Sequence, residues 1–441
     1  MNQLSVFNAT QTQVLVYYIF VFISFCFFAY HYRKEGFFLL VILLFFNGLF
    51  GFLGKDAQNI YRIVITLSTV YWVFKFGLFK YISGTAVILS SVFFTVTFLA
   101  TSILNDDYLQ ITFSQYSRFF ILFSLFFILL IQRHNNELRE SLDKLIFQLF
   151  ILQIALSLVK FFIMGTTESI VGSIASQGGA IATILPVLGL FFIWYKKAGD
   201  LQRNDWIFIT GLMFIGFVSL KRAIWFIFPI LLAFLLFYVP KKMIPVRIIA
   251  ISVIAIPLIF YLGVRINPTL NEEHKIWGRF DINYAFNYAT DYSFGEEEVE
   301  GFGRGGATLM LLRNLVEGDL KNSDWLGYGL RKMYATDYSE FADLGFGISS
   351  KGAATGVFQT MVSNGYIGIA SVIWFAVSMI LFTRNRRLRF LLLGYFLWEY
   401  FFYTGMSLRE PALSFILIYI VLFSPRELAR IREPQSSITI K

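Results

Sequence analysis

The stretch 206–238 reads WIFITGLMFIGFVSLKRAIWFIFPILLAFLLFY, and Lys221 and Arg222 are its only charged residues. As one continuous helix, at about 1.5 Å per residue, it would be about 50 Å long. The hydrocarbon core of a membrane is about 30 Å thick, so the stretch is too long for one span and short for two. We therefore predict a tight hairpin that holds Lys221 and Arg222 at or slightly below the membrane surface.

The same apolar character extends over most of the chain. Hydrophobic residues make up 57% of the sequence and charged residues 15%, against about 45–50% and about 25% in soluble domains. The composition predicts an all-α polytopic membrane protein with about thirteen transmembrane helices. Twelve is the alternative, because the third block contains Arg62 and Lys75. The predicted spans are 13–30, 37–54, 60–79, 82–104, 113–131, 145–163, 179–195, 206–220, 223–239, 246–264, 354–382, 389–407 and 411–424.

Basic residues determine the predicted orientation. Most of the 37 lysines and arginines fall in turns on one side of the predicted spans, and the positive-inside rule assigns that side to the cytoplasm. The chain then divides into a first transmembrane part at 1–265, a long, largely helical extracytoplasmic loop at 266–352, and a last transmembrane part with a short cytoplasmic tail at 353–441. The first apolar block shows no cleavage pattern and is interpreted as the first span.

Composition also disfavours several kinds of site. The net charge of +9 is largely explained by the basic turns, and the stretch 267–352 carries more acidic than basic residues, so nucleic-acid binding is disfavoured. The three histidines, His31, His134 and His274, lack the spacing of metal ligands, so we expect neither a metal nor another cofactor. The lone Cys26 excludes an intrachain disulfide.

A set of cations lies at the predicted outer ends of spans, where orientation does not require them. Charges at this depth are costly, so they either extend to lipid phosphates or bind an anionic ligand. The residues alone leave both interpretations open. These cations are Lys55, Arg62, Arg118, Lys160, Lys221, Arg222 and Arg409.

Three motifs around the long loop resemble one known family. The segment 219–223 (SLKRA) opens an apolar block, and the loop contains Arg304, the amphipathic stretch 307–317 and the segment 325–330 (WLGYGL). The segment 358–368 (FQTMVSNGYIG) follows the loop. In order and spacing these motifs resemble the O-antigen polymerase and O-antigen ligase superfamily, over roughly 165–382.

The resemblance implies glycan transfer from undecaprenyl pyrophosphate on the outer face of the bacterial cytoplasmic membrane. It implies undecaprenyl-pyrophosphate-linked oligosaccharide and membrane lipids as partners, and it leaves open whether a chain-length regulator binds. Guanidinium groups can stabilise a pyrophosphate leaving group without metal, since they bind phosphate oxygens in a bidentate fork. The expected catalytic residues are Arg222, Arg304 and Lys221. The expected substrate-binding residues are Arg265, Arg409, Arg118, Trp325, Tyr328 and Lys351.

The chain departs from the family pattern at two places. Ligases of the superfamily carry a histidine just after the long loop, where this chain has Ala354, and this departure favours a polymerase over a ligase. In the family, an arginine often precedes the glycine-rich start of an earlier span. The corresponding segment of this chain, 176–180 (SQGGA), has no arginine. A flippase for lipid-linked oligosaccharide is a further alternative, but it would need cations along a path across the bilayer.

The sequence does not single out a base for the acceptor hydroxyl. Asp281, Asp324, Asp337 and Asp343 lie among aromatic residues of the loop, and any of them could accept the proton. Glu399 lies inside an apolar block, where pairing with a buried cation is the favoured interpretation.

The aromatic residues and glycines of the loop also allow two interpretations. Core packing is favoured over sugar stacking for each tryptophan and tyrosine of the loop. Gly327 and Gly329 are expected to form a turn rather than a phosphate cradle, because no strand-to-helix context surrounds them.

Overall fold

The computed structural model describes residues 10–77, 85–105, 107, 109–165, 170–176, 179–197, 201–238, 246–294, 296–297, 301–318, 320–330 and 355–424. The first eleven helices are α1 (Gln11–His31), α2 (Gly36–Phe45), α3 (Asn47–Leu53), α4 (Lys55–Phe76), α5 (Thr85–Leu104), α6 (Leu109–Ile131), α7 (Asn136–Met164), α8 (Ile181–Lys197), α9 (Arg203–Val218), α10 (Arg222–Ala233) and α11 (Val246–Ile266). A π-helical turn, Phe234–Tyr238, extends α10.

The remaining elements form the predicted outer loop and the last part of the bundle. In the loop they are α12 (Ile282–Phe294), the antiparallel two-residue strands β1 (Glu296–Glu297) and β2 (Gly301–Phe302), α13 (Arg304–Glu317) and α14 (Asn322–Leu326). The last helices are α15 (Gly356–Ile380), α16 (Arg386–Leu397) with a π-helical turn (Trp398–Phe402), a 3₁₀ turn (Met406–Leu408) and α17 (Pro411–Phe423).

The predicted helical membrane class is confirmed in its coarse form. Within the described residues, five helices are long and apolar enough to cross a membrane: α1, α5, the part Thr112–Ile131 of α6, α7 and α15. The pair α2 and α3, bent by 60°, would count as a sixth. Each of the thirteen predicted blocks contains a helix, but several of these helices are shorter or more polar than a span requires. The count of twelve or thirteen spans therefore stays a prediction.

Side-chain caps fix where several helices begin. Asn135 accepts the main-chain N–H of Leu138 at the start of α7, and Thr355 accepts that of Phe358 at the start of α15. Asn385 accepts two main-chain N–H groups at the start of α16. Such caps satisfy donors that have no partner inside the helix, so these polar residues mark the helix starts.

The bend between α2 and α3 is stabilised by a buried irregular segment, 170–176. The hydroxyl of Ser173 donates to the carbonyl of Phe45 at 2.8 Å, and the N–H of Gly48 donates to the carbonyl of Ser173 at 2.8 Å. Gln153 of α7 in turn accepts the N–H of Ser173 at 2.7 Å. The bend places Asn47 at the start of α3.

The break predicted inside the stretch 206–238 is present. Only Ser219, Leu220 and Lys221 separate α9 from α10. Leu220 adopts a φ of 51°, which is uncommon for a residue with a side chain, and the amide of Asn267 holds its carbonyl at 2.9 Å. The hydroxyl of Ser219 donates to the carbonyl of Ile215 in the preceding turn. Arg222 therefore stands at the first turn of α10.

The segment 325–330 packs against a break in α15. Gly365 has a φ of 63° inside that helix, and a Cβ added there would lie 2.3 Å from the carbonyl oxygen of Trp325. The N–H groups of Tyr328 and Gly329 both donate to the carbonyl of Val362, at 2.7 and 3.0 Å. Gly327 and Gly329 each have a φ of 92°. The prediction that these glycines serve a turn is confirmed.

The helices α12, α13 and α14 make up more than half of the described residues in the predicted loop 266–352, as its predicted helical character requires. The helix α13 includes the whole amphipathic stretch 307–317. The predicted boundary at 265 falls one residue before the end of α11, whereas the boundary at 352 lies outside the described residues.

The two ends of the bundle are lined by different side chains. At the end we call the basic end, Arg133 donates to the carbonyl of Phe382 at 3.4 Å and Arg139 donates to the hydroxyl of Tyr195 at 3.0 Å. The hydroxyl of Tyr419 donates to Asp143 at 2.9 Å. Three of the basic turns that were predicted to share one side, those near 133, 196 and 384, thus lie close together. The loop-side end is the opposite one, which carries α12 to α14.

Candidate functional site

Arg222 is enclosed by two tyrosines of α12. Its guanidinium carbon lies 4.2 Å from the ring centroid of Tyr292 and 5.0 Å from that of Tyr288. Its Nη1 also donates to the hydroxyl of Tyr288. Lys221 precedes it at the N-cap position of α10 and is half-buried. Two cations and the positive end of a helix dipole therefore coincide here, and this combination attracts anions.

Arg304 reaches the same region from the start of α13. Its guanidinium carbon lies 4.9 Å from the ring centroid of Tyr403, and its Nε is buried without a hydrogen-bond partner among the described residues. Helix α12, which carries Tyr292, packs against α13, which begins at Arg304, and Tyr292 lies near Tyr403. We call Arg222, Arg304, Tyr288, Tyr292 and Tyr403 the arginine–tyrosine cluster.

A second group of arginines lines a cavity of about 170 Å³ at the ends of several helices. Arg62 comes from α4, Arg118 from α6, and Arg409 and Glu410 from the turn before α17. Glu410 interacts electrostatically with Arg118 and Arg62, and the amide of Asn47 donates to its two carboxylate oxygens at 3.1 and 3.3 Å. We call these five residues and the space between them the arginine cavity.

The arginine–tyrosine cluster and the arginine cavity are connected through one glycine. The N–H of Gly356 donates to the carbonyl of Tyr403 at 3.3 Å, and Nη2 of Arg409 donates to the carbonyl of Gly356 at 3.3 Å. Thr183 adds a side-chain contact, since it accepts the hydroxyl of Tyr403 at 3.0 Å. A ligand at this end of the bundle could therefore contact both groups.

The turn that carries Arg409 is held by a buried carboxylate. Glu399 is fully buried, and its Oε1 accepts the N–H of Ser407 at 3.2 Å, while its main-chain carbonyl accepts the N–H of Gly405 at 3.0 Å. Arg409 is the cation with which it interacts. Glu399 thus positions the turn 403–410, which agrees with its interpretation as a structural residue.

Two predicted substrate-binding cations lie elsewhere. Arg265 donates to the carbonyl of Gly278 at 3.0 Å, to the hydroxyl of Tyr261 at 3.1 Å and to the carbonyl of Trp277 at 3.3 Å. It therefore shapes the chain just after α11, and its role in substrate binding stays a prediction. Lys351 lies outside the described residues.

The aromatic residues of the segment 325–330 face the broken helix α15. The ring centroid of Trp325 lies 6.0 Å from that of Tyr366, and 43% of Trp325 is exposed. The hydroxyl of Tyr328 donates to Asp324, and burial together with this carboxylate raises the pKa of Tyr328 to about 12. Both residues have a packing role at this turn, and their predicted contact with sugar is untested.

The loop carboxylates that were candidates for a general base are used as caps where the structure describes them. Asp324 accepts the N–H of Lys321 at 2.8 Å as well as the hydroxyl of Tyr328. Asp281 accepts the N–H groups of Asn283 and Tyr284 at the start of α12. The other two candidates, Asp337 and Asp343, lie outside the described residues.

Sequence reasoning missed the carboxylate that lies among cations. Glu410 was not a candidate, although it forms part of a charged pair with Arg409 in the short turn between two apolar blocks. That pair was the available signal. Asn47 and Tyr403 gave no signal, because a polar or aromatic residue at the end of an apolar block is common at membrane interfaces.

No family model, curated protein or solved structure matches this chain. The resemblance to the O-antigen polymerase and ligase superfamily therefore rests on its motifs. Within the described residues, no group of three or more histidine, cysteine, aspartate or glutamate side chains is arranged to hold a metal ion. What the loop-side end offers a ligand is a set of arginines next to tyrosine rings.

Proposed function

We propose that this protein is a polymerase of lipid-linked oligosaccharide repeat units. It would transfer a growing glycan from undecaprenyl pyrophosphate to the next lipid-linked repeat unit. The observation that carries the proposal is the meeting of Arg222 and Arg304. These two residues start different helices 82 positions apart and share the arginine–tyrosine cluster. Both belong to motifs on which the family resemblance rests.

The cluster suits a reaction in which pyrophosphate leaves. The acceptor hydroxyl oxygen forms a bond to the anomeric carbon of the donor sugar, and the bond from that carbon to the pyrophosphate oxygen breaks. The bonding electrons remain on the pyrophosphate, where Arg222 and Arg304 stabilise the developing charge. A carboxylate takes the proton of the acceptor hydroxyl. Fixed guanidinium groups suit this role because they are in position before the charge develops.

Tyrosines hold both arginines, and part of the donor capacity of Arg304 is unused within the described residues. Arg304 has a buried Nε with no hydrogen-bond partner among the described residues, and a buried unsatisfied donor is costly. Tyrosine rings hold both guanidinium groups by cation–π contacts. These contacts leave polar edges of a guanidinium available to phosphate oxygens.

The alternatives require other features. A ligase would use a similar anion site, but this chain has Ala354 where ligases of the superfamily carry histidine. A flippase would need cations spaced across the membrane, whereas Arg222, Arg304 and the arginine cavity lie at one end of the bundle. We accordingly place the protein in the bacterial cytoplasmic membrane, with α12 to α14 on the outer face.

The test replaces Arg222 in a strain that lacks its own copy of the protein. Arg222→Lys keeps the charge but loses the bidentate fork. Loss of one charged hydrogen bond predicts a drop in polymer yield of about 10–100-fold. Arg222→Ala should lower the yield at least as much. Polymer length and yield are compared at matched protein levels.

Arg139→Lys at the basic end is the matched control. It changes an arginine that donates to a tyrosine hydroxyl of its own protein, and it should leave polymer yield within about twofold. Polymer of normal length and yield from both Arg222 variants would refute the proposed role of this arginine.

A further inference from the structure

We propose that a groove between α1, α2 and α4 is a binding site for one anionic phospholipid of the leaflet at the basic end. An acyl chain of this lipid lies in the groove, and its phosphate lies against the basic residues at the mouth of the groove. The site is in a different part of the molecule from the arginine–tyrosine cluster, and it does not depend on the proposed polymerase activity.

Three helices form the groove. Its floor is the stretch 36–43 of α2, a helix that packs against both α1 and α4. One wall consists of Phe25 and Ala29 of α1, and the other consists of Ser68 and Trp72 of α4. The lining side chains are apolar except for the hydroxyl of Ser68 and the indole N–H of Trp72. The volume of about 290 Å³ suits one acyl chain and is too small for a folded segment of protein.

The groove opens on a surface that faces lipid. Exposed side chains flank it on both walls: Phe27 of α1 and Leu67 and Tyr71 of α4 are each more than half exposed. Lipid tails are as apolar as leucine, so the hydrophobic effect alone gives them no preference for the groove. An unfilled groove, however, would lose van der Waals contacts along its walls. An acyl chain is the partner that the surrounding membrane supplies.

The mouth of the groove lies at the basic end. The floor begins at Gly36, the first residue of α2, and extends for about 10 Å, at about 1.5 Å per residue. Just before it, the hydroxyl of Tyr32 donates to Gln148 of α7 at 2.7 Å. The neighbour of Gln148, Phe147, has its ring centroid 4.6 Å from Nζ of Lys196, which belongs to one of the basic turns. An acyl chain therefore enters from the headgroup region of this leaflet.

Two cations stand at the mouth, each against an aromatic ring. Nζ of Lys75 lies 4.5 Å from the ring centroid of Trp72, which itself lines the groove. The guanidinium carbon of Arg33 lies 3.9 Å from the ring centroid of Tyr30. Glu35 is the one carboxylate in the turn between α1 and α2, and neither cation forms an ion pair with it or with another described carboxylate. A cation on a ring face keeps N–H groups for a further acceptor.

The cations determine which headgroup the site prefers. Topology accounts for basic residues at this end, and the groove gives them a particular partner. An acyl chain in the groove brings its own phosphate to the level of Lys75 and Arg33. Basic residues near the surface attract anionic lipid, whereas a zwitterionic headgroup has no net charge to attract. The site therefore selects an anionic phospholipid.

A second copy of the chain fits the same groove less well. Association about a two-fold axis uses the same surface of both partners. Arg33 and Lys75 of one copy would then lie near those of the other copy, and like charges repel.

The experiment maps the lipid on the purified full-length protein. The protein is placed in nanodiscs of phosphatidylcholine that contain a phosphatidylglycerol with a photoreactive group in its acyl chain. After irradiation, mass spectrometry locates the labelled residues, and we expect label in the stretches 25–29, 36–43 and 68–72. Ala29→Phe fills the groove and should lower this labelling at least about fivefold. Cys26→Phe is the matched control, because Cys26 is exposed on the same helix and does not line the groove, and its labelling should stay within about twofold.

The charge at the mouth is tested separately. Lys75→Gln should weaken binding of the phosphatidylglycerol probe about fivefold, measured by titration of its fraction in the nanodisc. Lys144→Gln removes an exposed lysine of α7 near the basic end and should change binding by less than about twofold. Lys75 is exposed, so its variant should fold normally and keeps the test informative if Ala29→Phe does not fold.

Three results would overturn the proposal. Equal labelling of the groove by a phosphatidylcholine probe with the same photoreactive chain would show that the headgroup is not selected. Unchanged labelling in Ala29→Phe, or unchanged binding in Lys75→Gln, would show that the lipid is not held in this groove. A dimer that Ala29→Phe abolishes would identify a second copy of the chain as the occupant.

Discussion

The two ends of the bundle use arginine in different ways. At the basic end, Arg133 and Arg139 donate to a main-chain carbonyl and to a tyrosine hydroxyl of neighbouring helices. At the loop-side end, Arg222 likewise donates to a tyrosine hydroxyl, but three further arginines, Arg62, Arg118 and Arg409, line one cavity. Topology and helix packing explain the charges of the basic end. They do not explain those of the loop-side end, which is the physical reason to expect an anionic ligand there.

The test with the largest expected effect determines on which side of the membrane each end of the bundle lies. A reporter fused near Asp291 should behave as extracytoplasmic, and one near Arg386 as cytoplasmic, because basic turns stay inside. Arg133 contacts the carbonyl of Phe382, so a third reporter near Arg133 should agree with the one near Arg386. A cytoplasmic result at Asp291 would contradict the proposed mechanism altogether.

A second test concerns how the loop-side segment is anchored. Gly365→Ala would place a Cβ 2.3 Å from the carbonyl oxygen of Trp325 at a φ of 63°. We expect a loss in stability of at least about 2 kcal/mol, which thermal unfolding of the purified protein would detect. Gly394→Ala in α16 is the control, since a Cβ there meets no atom within 4 Å and should cost nothing. Equal melting temperatures for the two variants would show that the close contact is not required.

The smallest expected effect is that of a chelator. If the loop-side arginines supply all the positive charge that the pyrophosphate needs, purified enzyme in excess EDTA should keep its polymerase activity within about twofold. Complete loss of activity that magnesium restores would show that a metal shares this task.

Local patterns carried the sequence analysis as far as the helices. Apolar blocks predicted the helical membrane class, and the pair Lys221 and Arg222 marked the break between α9 and α10. The amphipathic stretch 307–317 predicted α13. These features depend on residues close together in the chain, so hydrophobic periodicity and span length were enough to find them.

The sequence could not predict which residues come together in the arginine–tyrosine cluster and in the arginine cavity. Arg62 and Arg118 come from α4 and α6, and Glu410 lies nearly three hundred positions further along the chain. In the sequence, Arg265 was a candidate like the other cations near the loop. In the structure, its N–H groups donate to the main-chain carbonyls of Gly278 and Trp277. Which cations meet a cavity and which meet a carbonyl depends on how helices pack, and the order of residues in each helix does not contain that information.

The bend between α2 and α3 has a consequence for how the chain is made. Lipid cannot hydrogen-bond the main-chain groups that a broken helix leaves unpaired. Their partner here is Ser173, which is synthesised 128 residues after Phe45. At about 5–20 residues per second, the ribosome needs roughly 6–26 s to reach it. During that interval the main-chain groups at the bend between α2 and α3 lack this hydrogen-bond partner, so we expect the membrane insertion machinery to shelter α2 and α3 until residues 170–176 are made.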